Sequence, residues 1–235
     1  MPENDRQGQV RSPVTLVTGG AAGIGRAIAE RFATAGHAIA LLDLDAPAVE
    51  AAAGELRARG VPALAIAASV IDEDAVESAV TWVVETLGGL DVLINNAGIS
   101  CNKPTLELSP AEWRRAVDIN LTGVFLCARA AGRHMVTQGR GTIINMGSMY
   151  GTVAAPDRAG YCATKSAVDM LTRVLAIEWA PHGVRVNGIA PGYVRTAMLD
   201  ELIRQGRVDD RALVGRTPAR RFGQPEEVAE LALFL

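Results

Sequence analysis

One tyrosine and one lysine stand four residues apart in a chain that contains little lysine. Tyr161 and Lys165 lie in the stretch GYCATKSAVDMLTRVLAIEW, where apolar positions recur at helical spacing. Residues four apart therefore share one face of a helix. The chain has 2 lysines against 21 arginines. A lysine kept at this position indicates that a compact ammonium is needed beside a phenol.

The chemistry suggested by this pair is proton transfer at the tyrosine. A free tyrosine has a pKa of about 10, and lowering it to roughly 7 requires about 4 kcal/mol. One positive charge about 6 Å away, at an effective dielectric constant of about 20, supplies roughly 2.8 kcal/mol. Lys165 alone therefore falls short, and a second positive charge, such as that of an oxidised nicotinamide, is needed for the rest. The alternative is a surface Tyr–Lys pair or a Lys165–Asp169 ion pair, each worth a few tenths of a kcal/mol.

Composition limits the classes of protein to which the chain can belong. Its 235 residues and 49% hydrophobic content suit one domain with a large core, and its net charge of −3 gives no basic surface for nucleic acid or anionic membrane. No apolar run is long enough for a transmembrane helix, and the N-terminus MPENDRQGQVRS lacks a secretory signal. We interpret residues 1–12 as a flexible tail. Cys101, Cys127 and Cys162 have no metal-ligand spacing, which predicts no metal site and a reducing cytoplasm.

Strand and helix signals alternate along one predicted domain, residues 13–235. The predicted strands are VTLVTG, AIALLD, VPALAIAA, LDVLINNAG, GTIINMGS and GVRVNGIAPG. Helical patterns cover 23–35, 46–59, 72–87, 109–137 as one long helix, and the segment that bears Tyr161. Continuous apolar strands separated by helices predict a parallel sheet covered on both faces, in a doubly wound Rossmann-type α/β domain.

A glycine pattern and an acidic residue predict a dinucleotide site. TGGAAGIG places Gly19, Gly23 and Gly25 between the first strand and the first helix. Glycines there allow a tight turn and close approach of a pyrophosphate, which the helix N-terminus attracts. The alternative is an ordinary glycine-rich loop. Asp43 ends the second strand, where a carboxylate accepts hydrogen bonds from ribose hydroxyls and repels a 2′-phosphate. The alternative for Asp43 is a helix cap, although Asp45 is better placed for that. These residues favour NAD over NADP.

The chain resembles the short-chain dehydrogenase/reductase family over nearly all of its length. The matching pieces, in family order and spacing, are TGGAAGIG, NNAG at 95–98, Asn120 in DINLTGVF, Ser148 in NMGSM, Tyr161 with Lys165, and PGYVRT at 191–196. The resemblance implies a sheet of order 3-2-1-4-5-6 and hydride transfer between a carbinol carbon and a nicotinamide. It also implies a homodimer or homotetramer that contacts through its long helices.

The resemblance assigns roles to individual residues. Tyr161 would be the acid/base, Ser148 would position the substrate oxygen, and Lys165 would hold the nicotinamide ribose and depress the pKa of Tyr161. Asn120 would hold a water that connects Lys165 to solvent, and its alternative is a polar helix residue bonded to a nearby carbonyl. Asn95 would support the central strand. The implied cofactor-binding residues are Gly19, Gly23, Ile24, Gly25, Asp43, Val70, Asn96, Tyr161, Lys165, Pro191, Gly192, Val194 and Thr196.

Two features depart from the family pattern. Many members have an Asp-Val pair after the third strand, and here it reads Ser69-Val70, which predicts a weaker contact with adenine. The chain stops at PEEVAELALFL, before the usual last strand. We therefore expect a truncated chain whose sheet edge beside strand six is unpaired, and a less secure tetramer.

Three functions are compatible with these observations. The leading hypothesis is an NAD-dependent oxidoreductase that interconverts a secondary alcohol and a ketone, with GSMYG pointing to sugar alcohols or small polyols. The segment 197–216, with Met198, Leu199, Leu202 and Ile203 in an amphipathic pattern, would cover the substrate. Its alternative is plain packing. A 3-oxoacyl-thioester reductase is the second hypothesis, which Asp43 disfavours, and a non-catalytic NAD-binding protein is the third.

Overall fold

The structure is a computed structural model that describes residues 11–204, 206 and 208–235, without the side chains of Met198 and Leu202. The predicted tail therefore lies outside the described residues as far as residue 10. Arg11 is tied to the domain, because its guanidinium donates to both carboxylate oxygens of Asp91 at 2.7 and 2.8 Å.

Six parallel strands form one sheet. The strands are β1 (Val14–Thr18), β2 (Ala38–Asp43), β3 (Ala63–Ala67), β4 (Val92–Asn95), β5 (Gly141–Met146) and β6 (Val184–Ile189). Their order is β3-β2-β1-β4-β5-β6, which confirms the predicted order, and β6 is the last strand of the described sheet. All five residues of β1 are buried, as a strand with helices on both of its faces requires.

Helices cover the two faces of this sheet. They are α1 (Gly23–Thr34), α2 (Ala46–Ala58), α3 (Glu73–Leu87), α4 (Pro110–Val117), α5 (Gly123–Gln138), α6 (Ala159–Trp179), α7 (Ala197–Arg204), α8 (Asp210–Arg216) and α9 (Pro225–Phe234). One core joins the sheet to α3, α5 and α6 through residues such as Val83 and Met135. The opposite core joins it to α1, α2 and α9 through residues such as Ile28 and Leu56. Among the described helices, none is both long and apolar enough to cross a membrane.

Most boundaries follow from capping chemistry in the sequence. Asp45 caps α2 by accepting from the Ala48 backbone N–H, and Asp72 caps α3 by accepting from that of Ala75. Ser109 and Glu112 form a capping box at α4. The prediction of one long helix after Ser109 is wrong in detail, because a π-helical turn over Asp118–Thr122 separates α4 from α5. Such turns interrupt the regular hydrogen bonding and are frequent at functional sites.

Candidate active site

The residues singled out in the sequence gather along the carboxyl edge of the sheet. Parallel strands all end at the same edge, and a crevice opens where the chain leaves neighbouring strands in opposite directions. Here those strands are β1 and β4. Gly19 follows β1, Asn96 follows β4, Ser148 follows β5 and Pro191 follows β6. The strand ends therefore bring together motifs that lie far apart in the sequence.

The glycine loop after β1 is closed so tightly that its glycines are required. Gly19 and Gly23 have φ values of 62° and 57°, in the left-handed region that favours glycine. A Cβ atom on Gly25 would lie 2.2 Å from the carbonyl oxygen of Gly19. Asn96 fixes the loop from β4, since its Nδ2 donates to the carbonyls of Thr18 and Gly19 at 3.0 Å each. Ile24 packs against the core below the loop.

The first turn of α1 is built to receive an anion. Its N-cap, Ala22, makes no side-chain capping bond, and the turn contains no acidic residue. In α2 and α3, by contrast, an aspartate at the N-cap accepts from one first-turn N–H group, that of Ala48 or Ala75. The N–H groups at the start of α1 and the positive end of its dipole are thus left for a phosphate, and the residues present fit the diphosphate of a dinucleotide.

Asp43 lies next to this loop, at the end of β2. Its carboxylate accepts from the backbone N–H of Ala21 at 3.1 Å and from that of Asp45 at 3.2 Å. The helix cap is Asp45, so the alternative role for Asp43 is not needed. Val70 follows β3 at the same edge and is buried against α5, where a Cβ on Gly123 would lie 2.7 Å from a Val70 methyl.

Ser148 and Tyr161 meet on the other side of the crevice. Ser148 begins the short helical turn Met149–Gly151, and its Oγ accepts from the Tyr150 backbone N–H at 3.2 Å. Tyr161 stands in the first turn of α6, near the Ser148 side chain. Burial raises the pKa of the Tyr161 phenol, and the Ser148 side chain and the Arg158 charge lower it by less.

In this structure the pKa of Tyr161 is raised by burial, and Lys165 is not among the groups that shift it. The expectation that Lys165 depresses this pKa stays a prediction. The Lys165 ammonium lies 5.7 Å from the Tyr161 ring centroid and donates to the Met146 carbonyl at 2.6 Å. Desolvation of the phenol outweighs the positive charges around it, in the sense expected for a buried acid.

Lys165 is itself an unusual buried charge, with 5% of its surface exposed. Burial lowers its pKa to about 8, against the opposing effect of the Asp169 carboxylate. Glycine makes room for that carboxylate, because a Cβ on Gly147 or Gly151 would lie 2.7 or 2.5 Å from an Asp169 oxygen. The alternative of a solvated Lys165–Asp169 ion pair on the surface therefore does not hold.

Asn120 occupies the π-helical turn and is fully buried. Its Oδ1 accepts from the Ile99 N–H at 2.8 Å, and its Nδ2 donates to the Ile99 carbonyl at 2.9 Å and to Thr164 Oγ1 at 3.3 Å. The alternative of an asparagine bonded to a nearby carbonyl is therefore observed. Oδ1 of Asn120 and Nζ of Lys165 both face Gly98, at 3.2 and 3.8 Å from where its Cβ would stand.

The segment after β6 connects the two halves of the site. The Pro191 carbonyl accepts from the Met149 N–H at 3.0 Å, and Gly192 also lies beside Met149. Val194 forms a parallel bridge with Gly223. Thr196 reaches the glycine loop, since a Cβ on Gly23 would lie 3.6 Å from its methyl. Asn95, further along, supports the strands by donating to the Asn145 side chain at 2.9 Å.

Three side chains in this site were missed from the sequence. Tyr150 and Tyr193 share a hydrogen bond of 2.7 Å between their hydroxyls, and the Tyr150 ring lies edge-on to that of Tyr161, with centroids 6.4 Å apart. All three tyrosines of the chain therefore converge. Arg158 lies over the Tyr150 ring at 4.7 Å. The available signal was that Tyr150 and Tyr193 fall inside the same motifs as Ser148 and Pro191.

The predicted cover consists of two short helices, α7 and α8. The side chains of Leu199 and Ile203 are partly buried, and those of Met198 and Leu202 lie outside the described residues. Thr196 Oγ1 accepts from the Leu199 N–H at 3.3 Å at the start of α7. The cover is thus attached to the segment that reaches the glycine loop.

Comparisons with known proteins agree with this arrangement. The model of the family described as short chain dehydrogenase matches residues 13–206. Gluconate 5-dehydrogenase of Gluconobacter oxydans (strain 621H) is 39% identical over 94% of this chain and 86% of its own. Galactitol 2-dehydrogenase (L-tagatose-forming) of Cereibacter sphaeroides is 42% identical over 93% and 85%. The crystal structure of NAD+-bound xylitol dehydrogenase superimposes with a TM-score of 0.91 at 35% identity, covering 96% of this chain and 92% of that one.

Proposed function

The chain belongs to the short-chain dehydrogenase family, and on that premise we propose an NAD-dependent polyol dehydrogenase with Tyr161 as its acid and base. The reaction is the interconversion of a secondary alcohol and a ketone. One observation carries the assignment of residues: Ser148, Tyr161 and Lys165 converge at the crevice beside an anion-receptive helix start. A protein that only binds a dinucleotide does not need this group of Ser148, Tyr161 and Lys165.

Tyr161 moves the proton at its phenolic oxygen. Because burial raises its pKa, the phenol of the free protein is protonated at neutral pH and ready to donate to a ketone oxygen. To accept a proton from an alcohol it needs its anion stabilised. The Ser148 side chain and the positive charge of Arg158 act in that direction. The Lys165 ammonium, 5.7 Å from the Tyr161 ring centroid, would add to it, because hydrogen bonding to the anion and nearby positive charge both favour ionisation.

Lys165 and Asn120 support Tyr161 from the side away from the substrate. The Lys165 ammonium is oriented by the Met146 carbonyl and would hold ribose hydroxyls. Asn120 binds both backbone groups of Ile99, which fixes the loop after β4 beside Lys165. We assign to Asn120 a water that carries protons between Lys165 and solvent.

NAD, when bound, supplies the acceptor for the hydride. The glycine loop and the free start of α1 would hold its diphosphate, with Pro191, Gly192, Val194 and Thr196 along the nicotinamide half. Asp43 supports NAD over NADP, because a carboxylate beside the loop repels a 2′-phosphate. Val70 lies where the adenine would reach the edge of the sheet.

Hydroxylated carbon chains are the substrate class that the relatives support. One of the two relatives above is named for an acid, gluconate, and the other for a neutral alditol, galactitol. The paired hydroxyls of Tyr150 and Tyr193 give the crevice hydrogen-bonding groups suited to such chains. Residues 197–216 would cover the bound substrate.

We also propose a homodimer in a reducing, cytoplasmic setting. Met170, Val174 and Ile177 lie along one face of α6 at spacings of four and three, and they are 56, 41 and 77% exposed. An apolar stripe of that kind on a long helix is typical of an interface. The three cysteines are free thiols, which suits a reducing compartment.

Replacement of Tyr161 by phenylalanine tests the proposed function. We expect Tyr161→Phe to lower kcat for polyol oxidation at least roughly 100-fold, since a positioned acid/base contributes about that much or more. The Kd for NADH, measured by fluorescence titration, should change less than about threefold, because the phenol is not needed for binding. Acetoacetyl thioester reduction with NADPH would be assayed in parallel.

Two outcomes would contradict the proposal. If the unmodified protein binds NADH but turns over none of a broad panel of alcohols and ketones, it is a binding protein. If only the thioester is reduced, with NADPH, the assignment of Asp43 as the residue that favours NAD over NADP is wrong.

A further inference from the structure

Arg158 is a positive charge beside Tyr150 that forms no ion pair with a carboxylate among the described residues. It stands three residues before Tyr161, and its guanidinium carbon lies 4.7 Å from the centroid of the Tyr150 ring. Within the described residues, its one hydrogen-bond partner is the neutral amide oxygen of Asn102, at 2.7 Å from Nη1. A guanidinium carries five N–H donors, so most of its capacity remains available.

This situation differs from that of arginines elsewhere in the structure. Arg11 forms a bidentate ion pair with Asp91, and Arg221 forms one with Glu227. Glu112, whose partner Lys103 follows Asn102 in the chain, is also occupied, because it accepts from Lys103 at 2.9 and 3.1 Å and from Ser109. Arg158 therefore keeps its charge for a partner from outside the protein.

The crevice around Arg158 is positive although the chain as a whole is acidic. Burial raises the pKa of both Tyr161 and Tyr193, and the charge of Arg158 opposes that rise at both, as the charge of Arg216 of α8 does at Tyr193. No described carboxylate is among the groups that act on either tyrosine. Lys165 is a further positive charge, with its Nζ 5.7 Å from the centroid of the Tyr161 ring.

We infer that Arg158 binds the carboxylate of an anionic substrate, so that the enzyme acts on a hydroxy acid of the aldonate class rather than on a neutral polyol. This inference rests on the proposed function and narrows its substrate class. Tyr150 connects Arg158 to Tyr161. The Arg158 guanidinium packs on the face of the Tyr150 ring, and the Tyr150 ring lies edge-on to the Tyr161 ring. A carboxylate held by Arg158 thus belongs to the same molecule as the carbinol carbon at Tyr161. The planar fork of arginine matches a carboxylate with two parallel hydrogen bonds.

The test compares acids with alditols of the same carbon skeleton. Kinetic constants for NAD reduction would be measured with pairs of four to six carbons, such as threonate with threitol and gluconate with glucitol. For the unmodified enzyme, kcat/KM should be higher for the acid of the preferred pair, and KM for the acid should rise with ionic strength. Arg158→Gln should lower kcat/KM for the acid roughly 10- to 100-fold, the loss of hydrogen bonds to a charged group.

Three comparisons separate recognition from a structural role. Arg158→Gln should lower the ratio of kcat/KM for the acid to kcat/KM for the matched alditol roughly 10-fold, since both substrates lose the effect of the Arg158 charge on Tyr161 but only the acid loses a partner for its carboxylate. For the acid, kcat/KM of Arg158→Lys should lie between that of the unmodified enzyme and that of Arg158→Gln, because lysine keeps the charge but not the planar, bidentate guanidinium. Arg59→Gln removes the same charge from the exposed end of α2 and should leave both substrates unaffected.

The inference is overturned if Arg158→Gln lowers activity on acid and alditol equally, which would mean that Arg158 only supports Tyr150. It is also overturned if the unmodified enzyme prefers the alditol in every pair. In both cases the alditol is still oxidised, and the proposed function survives. Absence of turnover with every acid and alditol would instead reject the proposed function, and with it the role of Arg158.

Discussion

Lys165 carries a charge that the fold must bury at a cost, and replacing it should make the free protein more stable. It is 5% exposed, and burial lowers its pKa from 10.5 to about 8. Lys165→Met keeps most of the aliphatic side chain and removes the ammonium. We expect this variant to unfold at a higher urea concentration at pH 7, although it should lose activity. Active sites commonly trade stability for function in this way.

The magnitude follows from the pKa difference. Each pKa unit corresponds to about 1.4 kcal/mol, so the buried charge costs about 3 kcal/mol at neutral pH. The variant also loses the hydrogen bond from Nζ to the Met146 carbonyl, worth about 1 kcal/mol. The free energy of unfolding should therefore rise by about 2 kcal/mol at pH 7.

The sign of the pH dependence provides a stricter test. Below pH 8 the lysine is protonated in the native and the unfolded states, and the whole cost is present. Between pH 8 and 10.5 the native state loses its proton first, so the unfolded state binds more protons and the stability of the unmodified protein rises with pH. The advantage of Lys165→Met should thus shrink from about 2 kcal/mol at pH 7 to roughly zero at pH 9.5.

Urea unfolding at pH 7 and pH 9.5, at one fixed protein concentration, measures this difference. The only other lysine, Lys103, serves as the control, because it is 39% exposed and paired with Glu112. Lys103→Met should change stability by less than about 0.5 kcal/mol at either pH. A Lys165→Met variant that is less stable at pH 7, or equally stabilised at both pH values, would refute the reasoning.

Two further predictions concern the cofactor and the interface. Asp43→Asn should narrow the preference of kcat/KM for NAD over NADP by roughly tenfold or more, because it removes the repulsive charge while its amide oxygen still accepts from Ala21. Asp43→Ala should also narrow this preference, and it should weaken NAD binding because the glycine loop loses the bond to Ala21. If the ratio of kcat/KM for NAD to that for NADP is unchanged in both variants, Asp43 does not bind the ribose. Ile177→Glu should convert the proposed homodimer to monomer in light scattering, whereas exposed Leu44→Glu on the β2–α2 loop should not; a dimer that persists in Ile177→Glu would move the interface elsewhere.

Local patterns predicted the architecture because they depend on neighbouring residues alone. The apolar runs became β1 to β6, and the caps at Asp45, Asp72 and Ser109 started helices where expected. Strand order followed from resemblance and is confirmed. The break between α4 and α5 was not predicted, since the apolar pattern continues through Asp118–Thr122. What holds that turn is the bonding of Asn120 to Ile99, a contact between residues 21 positions apart.

The sequence by itself determined the family, the sheet and the set of residues at its carboxyl edge, because motif order and strand direction require no knowledge of packing. Only the tertiary structure decided their electrostatics. Spacing placed Lys165 beside Tyr161, but burial sets the pKa of both, raising that of the phenol and lowering that of the ammonium. Arg158 gave no signal in the sequence either. The role proposed for Arg158 depends on its packing against the Tyr150 ring and on the lack of an acidic partner among the described residues. Only the packing of the chain in three dimensions determines both.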